Sequence, residues 1–162
     1  MSRKKEGKTL AMRVLEGQGV PYQALVFPED VHDALGVAEH TGYPPESVYK
    51  TLVVETDDPD RRPLLVMIDA TSTLDLKKLA AVVGVKKAAM ARHADAERLT
   101  GLQVGGISAL ALLNKGFEIY LDELATLHEQ VLVSAGQRGI NLRLPVADLI
   151  RVTGARLVDV VE

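Results

Sequence analysis

Val48-Tyr49-Lys50-Thr51-Leu52-Val53-Val54-Glu55 reads as a β-strand, rich in β-branched residues and free of Gly and Pro. Side chains alternate along a strand, so Val48, Lys50, Leu52 and Val54 share one face. Tyr49, Thr51, Val53 and Glu55 share the other. The first face is apolar except for the lysine. An ammonium among apolar neighbours is costly unless an anion or several acceptors meet it. The strand by itself leaves two readings open. A substrate phosphate or carbonyl is the missing partner, or the stem packs while the head reaches water.

Working outward, Asp57-Asp58-Pro59-Asp60-Arg61-Arg62 is a polar turn, and residues 63–69 form a second strand, giving a hairpin. Upstream, helical spacing over 9–16 ends at Gly17 and Gly19, and a strand over 22–27 lies between Pro21 and Pro28. A helix over 34–41 stops at Gly42, and Pro44-Pro45 opens one short helical turn. Downstream, Ser72 or Thr73 caps a helix over 74–83, with Asp75 placed for a capping box behind Ser72. A short strand over 86–90 and a helix over 94–100 lead into Gly101-Leu102-Gln103-Val104-Gly105-Gly106-Ile107-Ser108. Strands are expected over 117–121, 131–134, 140–144 and 156–161, with a helix from Pro145 to Val152 before the last. The pattern predicts one α+β domain over residues 9–162, with a mixed, partly barrel-like central sheet flanked by helices. Residues 1–8 read as a short disordered basic tail.

Composition is that of a globular domain: 162 residues, 47% hydrophobic and 25% charged. No apolar stretch approaches the ~20 residues of a membrane span. Neither a membrane association nor a signal peptide is expected, and the cytoplasm is the expected location. There are no cysteines, which removes disulfides, thiolate metal sites and a cysteine nucleophile. His32, His40, His93 and His128 show no metal-ligand spacing, so neither a metal nor any other cofactor is expected. Net charge is −3, yet residues 75–98 carry six basic residues against three acidic ones. A basic patch on an acidic protein fits a local phosphate-backbone contact, or simply a solvated face.

Three segments fall in order along the chain: Val48-Tyr49-Lys50-Thr51-Leu52, Val104-Gly105-Gly106-Ile107-Ser108 and Ser134-Ala135-Gly136-Gln137-Arg138-Gly139. With Asp75-Leu76-Lys77-Lys78 and the Lys86-Lys87 stretch, they resemble the signature segments of the YbaK family. That family comprises free-standing aminoacyl-tRNA deacylases and the editing domain of some prolyl-tRNA synthetases. The resemblance spans nearly the whole chain. It implies trans-editing hydrolysis of mischarged aminoacyl-tRNA, notably cysteinyl-tRNA for proline, and prolyl-tRNA synthetase as a partner. Deacylation of another small amino acid, or tRNA binding without turnover, are the alternatives.

The resemblance makes Lys50 the central site residue, with Gly105 and Gly106 as backbone donors to a developing oxyanion. Phe27, Thr51, Ile107, Ser134, Gly136 and Asn141 are expected to line the substrate pocket. Lys77, Lys78, Lys86, Lys87 and Arg138 are expected to face RNA. Ser108 has no histidine in an elbow motif and reads as structural. The substrate's own thiol would then attack its own ester and leave as a thiolactone. The chain departs from the family pattern at Phe27 for tyrosine, at Pro28-Glu29-Asp30-Val31 for a histidine-acid-proline turn, at Ala109 for proline and at Asn141 for aspartate.

Overall fold

The structure is a computed structural model and describes residues 7–162. Most of the expected basic tail therefore lies outside the described residues. Lys8, at its end, is within them and pairs with Glu16 at 2.7 Å.

The central strand β2 (Tyr49–Thr56) pairs antiparallel with β3 (Leu64–Asp69), so the expected hairpin forms. β3 then runs parallel to β5 (Glu118–Asp122), and β5 parallel to β8 (Arg156–Val158). With β4 (Ala88–Met90) on the outer edge of β2, this makes a five-stranded mixed sheet, ordered β4-β2-β3-β5-β8. A second, antiparallel sheet is built of β1 (Gln23–Val26), β7 (Ile140–Pro145) and β6 (Gln130–Ser134), in that order. A single parallel bridge, Val48 to Leu132, joins the two sheets at the entry of β2. The two sheets thus curl toward one another without closing a barrel.

Among the described residues five α-helices flank the sheets: α1 (Leu10–Gly17), α2 (Ala34–Thr41), α3 (Leu76–Val83), α4 (His93–Thr100) and α5 (Val146–Thr153). Three of their starts, those of α1, α2 and α3, carry a side-chain cap. The Thr9 hydroxyl accepts from Met12 N, and Asp33 accepts from Gly36 N. α3 begins two residues later than its sequence pattern suggested, because Asp75 is the cap and accepts from Lys77 N and Lys78 N. The Ser72 hydroxyl is already committed as a donor to Asp69, which leaves no capping box. Two 3₁₀ segments, Ala109–Lys115 and Glu123–Leu127, fill stretches where no element was expected.

β2 is packed on both faces. Tyr49 and Val53 join the main core with Leu65, Met67, Leu121 and Val133. Leu52 and Val54 pack with Leu64, Val66, Ile68 and Leu79. Val48, on the same face as those two, instead joins Phe27, Val37, Ala38, Ala70 and Leu132. Lys50 therefore falls between two apolar clusters on one strand face.

Candidate active site

A cavity of about 430 Å³ opens at that seam. Five consecutive residues of β2 and its entry, Val48 to Leu52, line one wall. Asn141 of β7 and Ser134 of β6, directly opposite each other in the strand register, line another. The loop residues Val104, Gly105 and Ile107 close a third side, and residues 32–35, leading into α2, form the rim above the buried Val37. The volume falls in the range of small-molecule sites, roughly 300–1,000 Å³.

Lys50 lines this cavity, half-buried, and among the described residues its ammonium has neither a carboxylate nor a hydrogen-bond partner. Its neighbours Leu52, Val48 and Ala70 offer it none. Thr51, Ile107, Ser134 and Asn141 also line the cavity. Asn141 is only 6% exposed and faces it without a carboxylate's charge. The Ser134 hydroxyl accepts from Gly136 N at 3.2 Å, which fixes its position beside the amide.

Four of the expected site residues lie off the cavity lining. Gly106 does not line the cavity, and its N–H donates to Gln103 O at 2.8 Å, closing a turn instead of facing a substrate. A Cβ there would meet the Gln137 backbone at 2.9 Å, so this glycine lets two loops pack together. Gly136 likewise sits behind the wall, its N–H held by Ser134. Phe27 is buried in the cluster beneath the cavity, next to Val37, Val48 and Ala70, which do line it. Arg138 turns inward, donating from Nε to Val104 O at 2.8 Å, and so braces the glycine loop.

The basic segment is also smaller than its sequence suggested. Lys78 donates to Val161 O at 2.8 Å and pairs with Asp159 at 3.3 Å. Arg92 and Arg98 both pair with Asp95. Lys77, Lys86 and Lys87 remain exposed, with no acidic partner among the described residues. β4 meets the far end of β2, Thr56 opposite Ala88, so Lys86 and Lys87 lie roughly 20 Å along the strand from Lys50 at ~3.3 Å per residue.

Sequence reasoning missed the rim. His32 was weighed only as a metal ligand, yet it lines the cavity with Asp33, Ala34 and Leu35. The Asp33 cap was the available signal, since it sets where α2 begins and what precedes it. Gly105 has φ +91° and packs directly on His32, where a Cβ would lie 2.5 Å from the His32 Cβ. Among the described residues nothing accepts the Gly105 N–H.

Among the described residues no side-chain base is hydrogen-bonded to a hydroxyl on the cavity lining, Thr51 having no hydrogen bond from its hydroxyl and Ser134 only that from Gly136 N. Ser108 is buried away from the lining, its hydroxyl without a partner. Burial, with Asp69 and Asp122 nearby, pushes the Tyr49 phenol above its usual range, so it stays protonated. Among the described residues no cluster of three His, Asp or Glu side chains converges on a metal position. No helix among them is long and apolar enough to cross a membrane.

Comparison with known proteins supplies the class. Residues 28–152 match the aminoacyl-tRNA editing domain family, and the chain belongs to that family. It is 36% identical over 163 residues to EbsC of Enterococcus faecalis, covering 99% of this chain and 98% of that one. EbsC is provisionally assigned as a Cys-tRNA(Pro)/Cys-tRNA(Cys) deacylase. The fold matches that of a crystallised protein provisionally assigned as a trans-editing enzyme for prolyl-tRNA synthetase, with a TM-score of 0.81 and 24% identity. That match covers 94% of this chain and 95% of the other. A hypothetical protein of known structure superposes with a TM-score of 0.85 at 23% identity, covering 94% and 99%.

Proposed function

We propose that this protein is an aminoacyl-tRNA deacylase that acts in trans, cleaving cysteine from tRNA, with cysteinyl-tRNA(Pro) as its main substrate and prolyl-tRNA synthetase as the source of the error. The observation that carries this reading is the unpartnered Lys50 ammonium on the cavity lining between two apolar clusters, within an editing-domain fold. A half-buried cation without a partner costs stability, and a substrate oxygen developing negative charge removes that cost. Lys50 is a compact three-donor cation suited to the ester carbonyl, and the Gly105 N–H is a second donor on the same cavity.

The attacking group comes from the substrate. The cysteinyl thiol loses its proton and its sulfur bonds to the ester carbonyl carbon. The carbon–oxygen bond to the ribose breaks, and the ribose oxygen takes up a proton. A cyclic thiolactone leaves and opens in water to free cysteine. A thiol of pKa about 8.5 is a few per cent thiolate at neutral pH, and a neighbouring ammonium raises that fraction. The protein then contributes orientation and charge stabilisation. A serine hydroxyl in the same place is a far weaker nucleophile, so the pocket need not exclude serine by shape.

Deacylation of tRNAs charged with Cys, Ser, Ala and Pro tests this reading. Cysteinyl-tRNA should be cleaved fastest by a wide margin. Turnover of none, at enzyme well above trace, would favour a binding module without catalysis, and preference for Ala or Ser would remove the thiol from the mechanism.

A further inference from the structure

The cavity is larger than the group whose ester it would cleave. A cysteinyl moiety has only a handful of heavy atoms, whereas about 430 Å³ is room of the kind that drug-sized ligands occupy, within the roughly 300–1,000 Å³ of such sites. Beyond the Ser134–Asn141 wall, the lining extends to the start of α2. Two side chains there are out of keeping with a solvent edge. Leu35 is 54% exposed although it lines the cavity, and His32, also exposed, lines it three residues earlier. His32 is the one exposed planar ring on the lining, since Tyr49 is buried. Its backbone is seated closely: Gly105, at φ +91°, leaves space for the His32 carbonyl, which a Cβ would approach to 2.9 Å. The Asp33 cap, accepting from Gly36 N at 3.0 Å, fixes the same turn from the other side.

We infer that His32 and Leu35 form the subsite for the terminal nucleobase of the tRNA, the imidazole stacking on one part of the base and the leucine covering the rest. Unpaired bases at nucleic-acid ends are bound by stacking on flat side chains, histidine included, in company with apolar surface. The occupant follows from continuity: an ester held at Lys50 brings its own ribose and base to the rim of the same cavity. This inference rests on the deacylase reading above. It also gives Gly105 a second role, which is to seat His32.

The test compares His32→Ala, His32→Phe, His32→Gln and Leu35→Ala with wild type in cysteinyl-tRNA deacylation, read as KM against kcat. Adenosine 5′-monophosphate binding is followed separately by titration. His32→Ala and Leu35→Ala should each raise KM roughly tenfold, the scale of one lost base stack, with kcat little changed. His32→Phe should restore KM and nucleotide binding, while His32→Gln should not. Unchanged KM in both alanine variants of an active enzyme overturns the inference. So does rescue by Gln and not by Phe, which would mean that a hydrogen bond or proton transfer matters instead of stacking. Should wild type cleave no aminoacyl-tRNA, the deacylase reading fails first. Nucleotide binding that survives His32→Phe and is lost in His32→Ala would then still support the subsite, and its absence from wild type would end it.

Discussion

At the scale of single residues, the proposed function sets stability against activity most clearly at Lys50. Its ammonium lies between two apolar clusters with no partner among the described residues. Lys50→Met keeps the stem's bulk and removes the charge, so it should leave the urea midpoint unchanged or raise it. The same variant should lose deacylation by roughly 100-fold or more, the scale of deleting one donor to a developing oxyanion. Lys50→Arg should recover only part of it, because a planar fork does not replace a point charge. Near-normal turnover in Lys50→Met would remove the residue from the mechanism. Lys50 was legible in the sequence because a period of two makes one misplaced charge visible within four residues. His32 was not, since an exposed histidine before a helix looks like any surface polar residue. Gly105 and Gly106 read alike in sequence, yet one faces the cavity and the other closes a turn on Gln103. That difference depends on which loops pack against them, and no local pattern encodes it.

At the scale of elements, the turn after β3 is held by a buried carboxylate. Burial works against the charge of Asp69. Hydrogen bonds from the Thr71 and Ser72 hydroxyls, with the Thr71 N–H at 2.8 Å, outweigh it and hold the carboxyl below its usual range. A depressed folded-state pKa contributes stability that is present above the unfolded value, near 3.9, and lost as pH falls below it. Urea midpoints should therefore drop in wild type between pH 5 and pH 3, and Asp69→Asn should be less stable at pH 5 with a flatter decline. Equal pH dependence in the two would show that this turn does not carry the effect. The same turn explains why α3 was placed too early from sequence: Ser72 looked like a cap, but Asp69, three residues back, had already claimed it. The basic segment makes a separate prediction. Neutralising Lys77, Lys86 or Lys87 should each lower the log–log salt slope of tRNA binding by roughly 0.7–0.9 per lost contact. Lys78, tied to Val161 O, should affect folding more than the slope. Slopes unchanged in all three would reduce the patch to a solvated surface.

At the scale of the whole molecule, the cavity proposed as the active site sits where two sheets meet imperfectly. Sequence patterning found nearly every strand and helix, because each carries its own period and its own breakers. It did not find that the strands divide into one five-stranded and one three-stranded sheet, because β3 pairing with β5 and β1 with β7 joins segments far apart in the chain. The cavity follows from that division: Val48 belongs to the cluster under the three-stranded sheet, Leu52 and Val54 to the one on the five-stranded sheet, and Lys50 to neither. The lining brings together the Lys50 cation, the Gly105 backbone, the Asp33 carboxylate at the rim and the neutral polar groups of Ser134 and Asn141, and in the proposed reaction the substrate supplies the nucleophile. The first product released from cysteinyl-tRNA tests this most directly. Quenched early in the reaction, the mixture should contain the cyclic thiolactone before free cysteine appears, and the S-methylated substrate should yield neither product at a comparable rate. Free cysteine as the first product, with equal cleavage of the methylated substrate, would instead mean attack by water and contradict substrate-assisted deacylation.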